Sequence, residues 1–171
     1  MDKKILVAYA TKHGATAGIA KSIGETLQQA GLPVVVLPVE QAGSLDAYRA
    51  VVLGSAVYVG QWRKEAAAFL QANQGRLAEL PVWLFSSGPT GEGDPVELMN
   101  GFRIPDGLKP IIEAVKPRDI VVFHGVLDMK KLTLPEKLVT KGLKAPIGDY
   151  RDWDAVNAWA KKIAAELDLQ D

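Results

Sequence analysis

Lys4-Ile5-Leu6-Val7-Ala8-Tyr9-Ala10, followed directly by Thr11-Lys12-His13-Gly14-Ala15-Thr16, is the stretch that decides the fold. After Lys4 the first segment is short and apolar and ends at a polar turn, the pattern of a strand buried on both faces of a parallel sheet. From Thr16 onward the period changes. Ile19, Ala20, Ile23, Leu27 and Ala30 recur at three- and four-residue steps, the spacing of one helical face, until Gly31 and Pro33 supply a stop. The six residues between strand and helix therefore form a loop that points backbone N–H groups outward at the positive end of a helix dipole. With the hydroxyls of Thr11 and Thr16 beside them, these amides are suited to a phosphate.

The same alternation continues outward from this junction. Residues 34–37, 50–55, 82–87 and 120–123 read as further strands. Residues 63–73 carry Ala66, Phe69 and Leu70 on one helical face, and 108–115 form a shorter candidate helix. Residues 154–167 repeat Val156, Trp159, Ala160, Ile163 and Leu167, with Asp152 as the expected N-cap. Five strands joined by helical crossovers predict a doubly wound α/β domain: three layers, a five-stranded parallel sheet, helices on both faces, and a ligand crevice at the C-terminal ends of the strands.

Composition limits the chemistry. The 171 residues suit a single domain, and 48% hydrophobic with 23% charged residues is close to the globular average, which argues against disorder. No apolar run approaches the roughly 20 residues of a spanning helix, so a soluble, cytoplasmic protein is expected. The absence of cysteine removes disulfides, thiolate metal sites and cysteine nucleophiles, and two isolated histidines make no metal site. Redox chemistry would need a bound cofactor. Twenty basic and twenty acidic residues leave no net charge, so no field draws the chain to nucleic acid.

Two connections exceed the roughly 12–15 residues typical of plain loops. The first begins at Ser86-Ser87-Gly88-Pro89-Thr90-Gly91 and runs to Gly107, leaving the strand end where this architecture places ligands. The second, residues 125–151, sets Leu132, Leu134, Leu138, Val139 and Leu143 among Lys130, Lys131, Lys137, Lys141 and Lys144. It reads as a basic amphipathic insert. Its leucines are expected to lie over a satellite core with the lysines solvated, and contact of 130–144 with a membrane surface is the sharper alternative.

Other phosphate-binding motifs do not fit. Gly14 and Gly18 have the wrong spacing for G-x-G-x-x-G, and no G-x-x-x-x-G-K-[ST] is present. A phosphorylatable receiver needs carboxylates at strand ends, where this chain has Thr11 and Gly54-Ser55. A hydroxyl-lined loop with one glycine remains, suited to a terminal phosphate monoester.

Thr11-Lys12-His13-Gly14-Ala15-Thr16 resembles the phosphate loop of flavodoxin-like FMN proteins. Leu53-Gly54-Ser55-Ala56-Val57-Tyr58-Val59-Gly60-Gln61-Trp62, Phe85-Ser86-Ser87-Gly88-Pro89 and Gly148-Asp149-Tyr150-Arg151-Asp152-Trp153 extend the resemblance, which is closest to the flavodoxin-domain branch that includes menaquinone-dependent protoporphyrinogen oxidase. The resemblance implies strand order 2-1-3-4-5. It also implies FMN, with its phosphate at Thr11, Lys12, His13, Gly14, Ala15 and Thr16. Ala56, Val57, Tyr58, Val59, Gly60 and Trp62 would flank the ring, and Ser86, Ser87, Gly88, Pro89, Thr90 and Gly91 would cover its other edge. Tyr58 is the preferred stacking residue over Trp62, and Gly60 can bring a peptide group to the ring. Lys12 is expected to support the phosphate electrostatically, while His13 and His124 are expected to be surface or hydrogen-bonding residues. No side chain is singled out as catalytic.

An FMN oxidoreductase is expected, with quinone or porphyrinogen as the substrate class that the branch implies. Typical flavodoxin carriers are strongly acidic, and the neutral charge here argues modestly for an enzyme over a shuttle. The alternatives are an electron-transfer module serving a redox protein partner and an interaction domain without cofactor. In the oxidase branch this insert is associated with membrane, which extends the expected location to the inner face of the membrane.

Overall fold

The computed structural model describes residues 3–169. In β1 (Lys4–Ala10) alternate side chains go to opposite faces of the sheet, Ile5 and Val7 to one, Leu6, Ala8 and Ala10 to the other. Ile5 through Ala8 are fully buried because helices cover both sides. β2 (Val34–Pro38) and β3 (Tyr48–Tyr58) flank β1, and β5 (Val82–Ser87) and β6 (Asp119–Phe123) continue beyond β3. All five run parallel in the order β2-β1-β3-β5-β6. Setting aside the two-residue β4 (Gln61–Trp62), which pairs antiparallel with β3, this is the expected 2-1-3-4-5 order.

One face is covered by α1 (Ala15–Gln29) and α7 (Trp153–Asp168), where Ile19, Ile23, Leu27, Val156 and Ile163 join the cluster of Ile5, Val7, Val52 and Phe85. On the other face lie α2 (Lys64–Ala72), α3 (Gln74–Leu77) and α5 (Lys109–Val115). Their Phe69, Leu70, Leu77 and Ile111 join Leu6, Leu53 and Leu84. Each fully buried leucine or isoleucine contributes about 1.5–3 kcal/mol, so these two layers supply most of the driving force. The end of α1 and the start of α7 are set by local chemistry. Gly31 N–H donates to Gln28 O and Leu32 N–H to Leu27 O, a Schellman stop, and Asp152 caps α7 by accepting from Ala155 N.

Three features depart from the expectations. Strand β3 runs past residue 55 and folds back through Val59 and Gly60 into β4, both turn residues having positive φ, 49° and 69°. This is the geometry of a two-residue hairpin turn that favours Asn-Gly, and a β-branched valine is strained in it. Val59→Asn is therefore expected to stabilise the fold by about 1 kcal/mol, seen as a higher urea midpoint; an unchanged or lower midpoint would show that the turn carries no such strain.

The first long connection is not wholly irregular. It contains α4 (Pro95–Leu98), started by Asp94, which accepts from Val96 N and Glu97 N ahead of Pro95.

The third departure is the largest and concerns the insert. β7 (Val126–Leu127) and β8 (Gly148–Asp149) pair antiparallel and tie its ends together, with α6 (Leu134–Leu143) between them. The leucines do not cover a satellite core. Helix α6 has no buried residue, and Leu134, Leu138 and Leu143 are 72%, 64% and 73% exposed. Both sheet faces are already covered by other helices, so no apolar layer remains for α6 to pack on. Among the described residues no helix is long and apolar enough to cross a membrane.

Candidate functional site

The parallel strands β1, β3 and β5 end together, and a cleft of about 1030 Å³ opens over their C-terminal edge. Its walls come from four stretches far apart in the chain: the loop after β1, the end of β3, the loop after β5, and the insert. One backbone bond, from Gly125 N to Pro89 O, ties the last two together, while Gly88 N donates to Phe123 O at the end of β6 and Tyr150 N to Gly125 O within the insert. A Cβ on Gly125 would meet the Gly88 carbonyl oxygen at 2.9 Å, so these loops can approach so closely only because glycine stands there.

At the base of the cleft Gly14 takes a left-handed conformation (φ 92°), and α1 begins after it without any side-chain cap or acidic residue in its first turn. The first helical bond runs from Gly18 N to Gly14 O. The preceding amides of the helix have no intrahelical acceptor, and their partial positive charge faces the cleft uncompensated. Thr11 Oγ1 accepts from Gly14 N at 3.0 Å and fixes the loop, while Thr16, almost fully buried, donates to Ser87 Oγ in a long 3.5 Å contact.

Most residues expected at the site from the sequence do line the cleft. Thr11 to Thr16, Ala56 to Val59 and Ser87 to Gly91 surround it. Trp62, Gly60 and Ser86 do not. Trp62 is 5% exposed in the core, because its strand pairing with Val57 turns the ring inward, and its indole N–H donates to Ser86 Oγ at 2.8 Å. Ser86 in turn donates to Arg103 O, so this pair holds the loop after β5 and presents nothing to the cleft. His124 lies outside too, in a smaller pocket beside Trp159, with its Nε2 buried and unpartnered.

Tyr58 is the aromatic wall. It is half-buried, the Lys12 ammonium stands 5.4 Å from its ring centroid, and the His13 ring meets it edge-on at 6.3 Å. Burial, and secondarily the charge of Glu136, push its hydroxyl above the ordinary tyrosine value, so it stays protonated at neutral pH.

The residues missed from the sequence come from the insert. Glu136 accepts from Lys12 Nζ at 2.8 Å and pairs with His13 Nε2 at 3.0 Å. The Lys131 ammonium donates to the His13 carbonyl at 3.4 Å, and Arg151 donates to Ala15 O while paired with Asp149 and stacked on Trp153. The one sequence signal for Glu136 is Thr133-x-x-Glu136, a capping-box sequence at the start of α6, where Thr133 Oγ1 accepts from Glu136 N and its hydroxyl donates to Glu136 Oε1.

The hydrogen bonds from Lys12 and His13 hold the Glu136 carboxyl at about 2, from an ordinary 4.5. A carboxylate held low in the folded state stabilises the fold above its unfolded value, and that contribution is lost as pH falls from 4.5 toward 2. The stability difference between wild type and Glu136→Gln is thus expected in full at pH 6 and much reduced near pH 2.5, read by urea unfolding at each pH. A difference that does not shrink in acid would mean that the carboxylate's charge contributes nothing.

Residues 6–154 match the family model described as a flavodoxin domain. No curated protein sequence matches the chain. Among solved structures, the rubredoxin oxygen:oxidoreductase of Desulfovibrio gigas superposes with a TM-score of 0.64 at 13% identity, over 97% of this chain and 36% of that one. The chain thus spans about a third of that protein's length. A flavodoxin from the domain Archaea superposes with 0.63 at 13% identity, over 96% of this chain and 99% of that one. The Streptococcus pneumoniae flavodoxin gives 0.58 at 15% identity, over 95% and 98%.

Proposed function

From the premise that this chain belongs to the flavodoxin-domain family, we propose that it binds FMN in the cleft above β1, β3 and β5 and works as an oxidoreductase on a small apolar substrate. Family membership points to FMN and to FMN-based electron transfer. The donor set fits that cofactor. The uncapped start of α1 with the Thr11, Thr16 and Ser87 hydroxyls suits a phosphate monoester, and half-buried Tyr58 suits the face of a planar ring. The cleft volume lies at the upper end of the roughly 300–1,000 Å³ typical of small-molecule sites.

When bound, FMN supplies one- or two-electron redox chemistry. The residues of this chain bind and position. Backbone amides at the start of α1 and the threonine hydroxyls would take the phosphate, and the Tyr58 hydroxyl, staying protonated, adds no charge of its own to that wall.

The observation that carries the enzyme reading is the apolar side of the insert. Leu132, Pro135, Val139 and Leu143 of the insert line the cleft, an apolar surface suited to a small apolar substrate. Of the substrates of the oxidase branch this sequence resembles, a quinone has that character, and a porphyrinogen has it in its macrocycle while its carboxylates would need cations such as Lys131 and Lys144, which also line the cleft. Titration with FMN is the first test, and absence of fluorescence quenching and of retained flavin absorbance after desalting would end the reading. Steady-state oxidation of protoporphyrinogen with a quinone acceptor then favours the enzyme. Turnover only through a reductase protein favours a carrier.

The outward side of α6 favours a peripheral membrane position as well. Leu134, Lys137, Leu138 and Lys141 stand at positions i, i+3, i+4 and i+7 of one helical face, exposed leucines beside lysines. Sedimentation with anionic vesicles at low salt tests it, and a protein that stays in the supernatant refutes it.

A further inference from the structure

We propose that Glu136 clamps the insert over the cleft by holding Lys12 and His13, and so acts as a positioning residue for flavin retention instead of leaving those two side chains to the phosphate. The inference rests on the flavin reading of the cleft. Glu136 and His13 are 123 positions apart in the chain, and every side-chain bond between α6 and the phosphate loop converges on this one carboxylate: Lys12 Nζ at 2.8 Å and His13 Nε2 at 3.0 Å. The Lys131 ammonium, from the same insert, adds a bond to the His13 carbonyl.

Nothing apolar competes with these contacts. Helix α6 buries no residue, so hydrophobic packing does not hold it; at its base the insert is closed on itself by the β7–β8 pairing and tied to the domain by Gly125 N–H to Pro89 O and by Arg151 to Ala15 O. Two charge-assisted bonds to a carboxylate only 17% exposed are then the principal tie between the insert and the opposite wall. The same bonds use the polar ends of Lys12 and His13. The phosphate seat is left to backbone amides and hydroxyls, which need no cation.

The capping box lets the clamp be separated from helix formation. Glu136→Gln keeps a side chain that can accept from the Thr133 hydroxyl but loses the charge that binds Lys12, whereas Thr133→Ala loses the cap and that hydroxyl's bond to Glu136 Oε1 and keeps the bonds from Lys12 and His13. Hydrogen exchange of the flavin-free protein and stopped-flow flavin dissociation are measured on wild type and both variants. In Glu136→Gln, amides of Leu134–Leu143 are expected to exchange on the order of ten-fold faster while β1, β3 and β5 are unchanged. FMN and riboflavin should both dissociate faster by the same factor, on the order of ten, with Thr133→Ala close to wild type in dissociation.

Tighter FMN binding with unchanged riboflavin would overturn the proposal, because Glu136 would then merely compete with phosphate for Lys12. Unchanged exchange and dissociation would overturn it too. Failure of the cofactor reading looks different: wild type binds neither flavin, while exchange in α6 still responds to Glu136→Gln.

Discussion

Gly54→Ala is expected to lower stability by about 3 kcal/mol or more, enough to leave a domain of ordinary stability barely folded. Gly54 lies in the middle of β3, paired with Tyr9 of β1 and Phe85 of β5. A Cβ there would collide with the far edge of the Phe85 ring, at its Cζ, Cε1 and Cε2 atoms. The ring cannot step aside. It is fully buried, with Phe123 at 5.9 Å and Trp159 at 6.1 Å between centroids. Relief would therefore require moving the strand or the helix α7 that carries Trp159, and close-packed interiors resist both. Gly75→Ala is the contrast. It stands in α3 with nothing within 4 Å of the added carbon, and there alanine should gain up to about 1 kcal/mol of helix propensity. Urea unfolding compares the two, and Phe85→Leu added to Gly54→Ala should recover part of the loss. A Gly54→Ala protein within 1 kcal/mol of wild type, on the roughly 1 kcal/mol scale of typical substitutions, would show that the sheet yields more readily than its packing indicates.

The second large effect falls on cofactor binding. Replacing Thr11 and Thr16 together by alanine is expected to weaken FMN by about two orders of magnitude and riboflavin by no more than a few-fold, since hydrogen bonds to a charged group contribute about 1.5–3 kcal/mol each. Thr11 also fixes the loop by accepting from Gly14 N, and Thr16 ties the loop to Ser87, so part of the loss would come from a less ordered seat. The serine variants keep both hydroxyls and should retain most of the FMN affinity. Fluorescence titration of both flavins decides it. Equal weakening of FMN and riboflavin would place the phosphate away from this loop.

The strand, loop and helix of residues 4–30 were legible because the apolar period changes abruptly at Thr16, and both faces of the sheet are closed by helices whose own stripes are regular. Trp62 was not legible. An aromatic residue just before a helix is more often core than a ring neighbour, but the sequence does not decide between them, and what turns it inward is pairing with Val57 through a turn at Val59. Valine gives no sequence signal for a left-handed turn, so the hairpin itself was hidden. For α6 the period announces an amphipathic helix without saying what its apolar face will meet. The expected satellite core fails because no sheet surface is left for it. Glu136 was out of reach for a different reason: its partners lie at the other end of the chain, and pattern reading within a window does not extend that far.

The antiparallel ribbon of Val126–Leu127 with Gly148–Asp149 has one more consequence. Because the chain leaves and re-enters the domain at nearly the same point, everything between the two short strands is topologically a cassette. Exchanging it for a tight turn leaves the sheet's connectivity and both hydrophobic layers intact, whereas lengthening or reshaping it alters only the roof of the cleft. The wall of the cleft can thus diverge within this architecture by trading one closed segment, at a loop-closure cost that grows only slowly with its length.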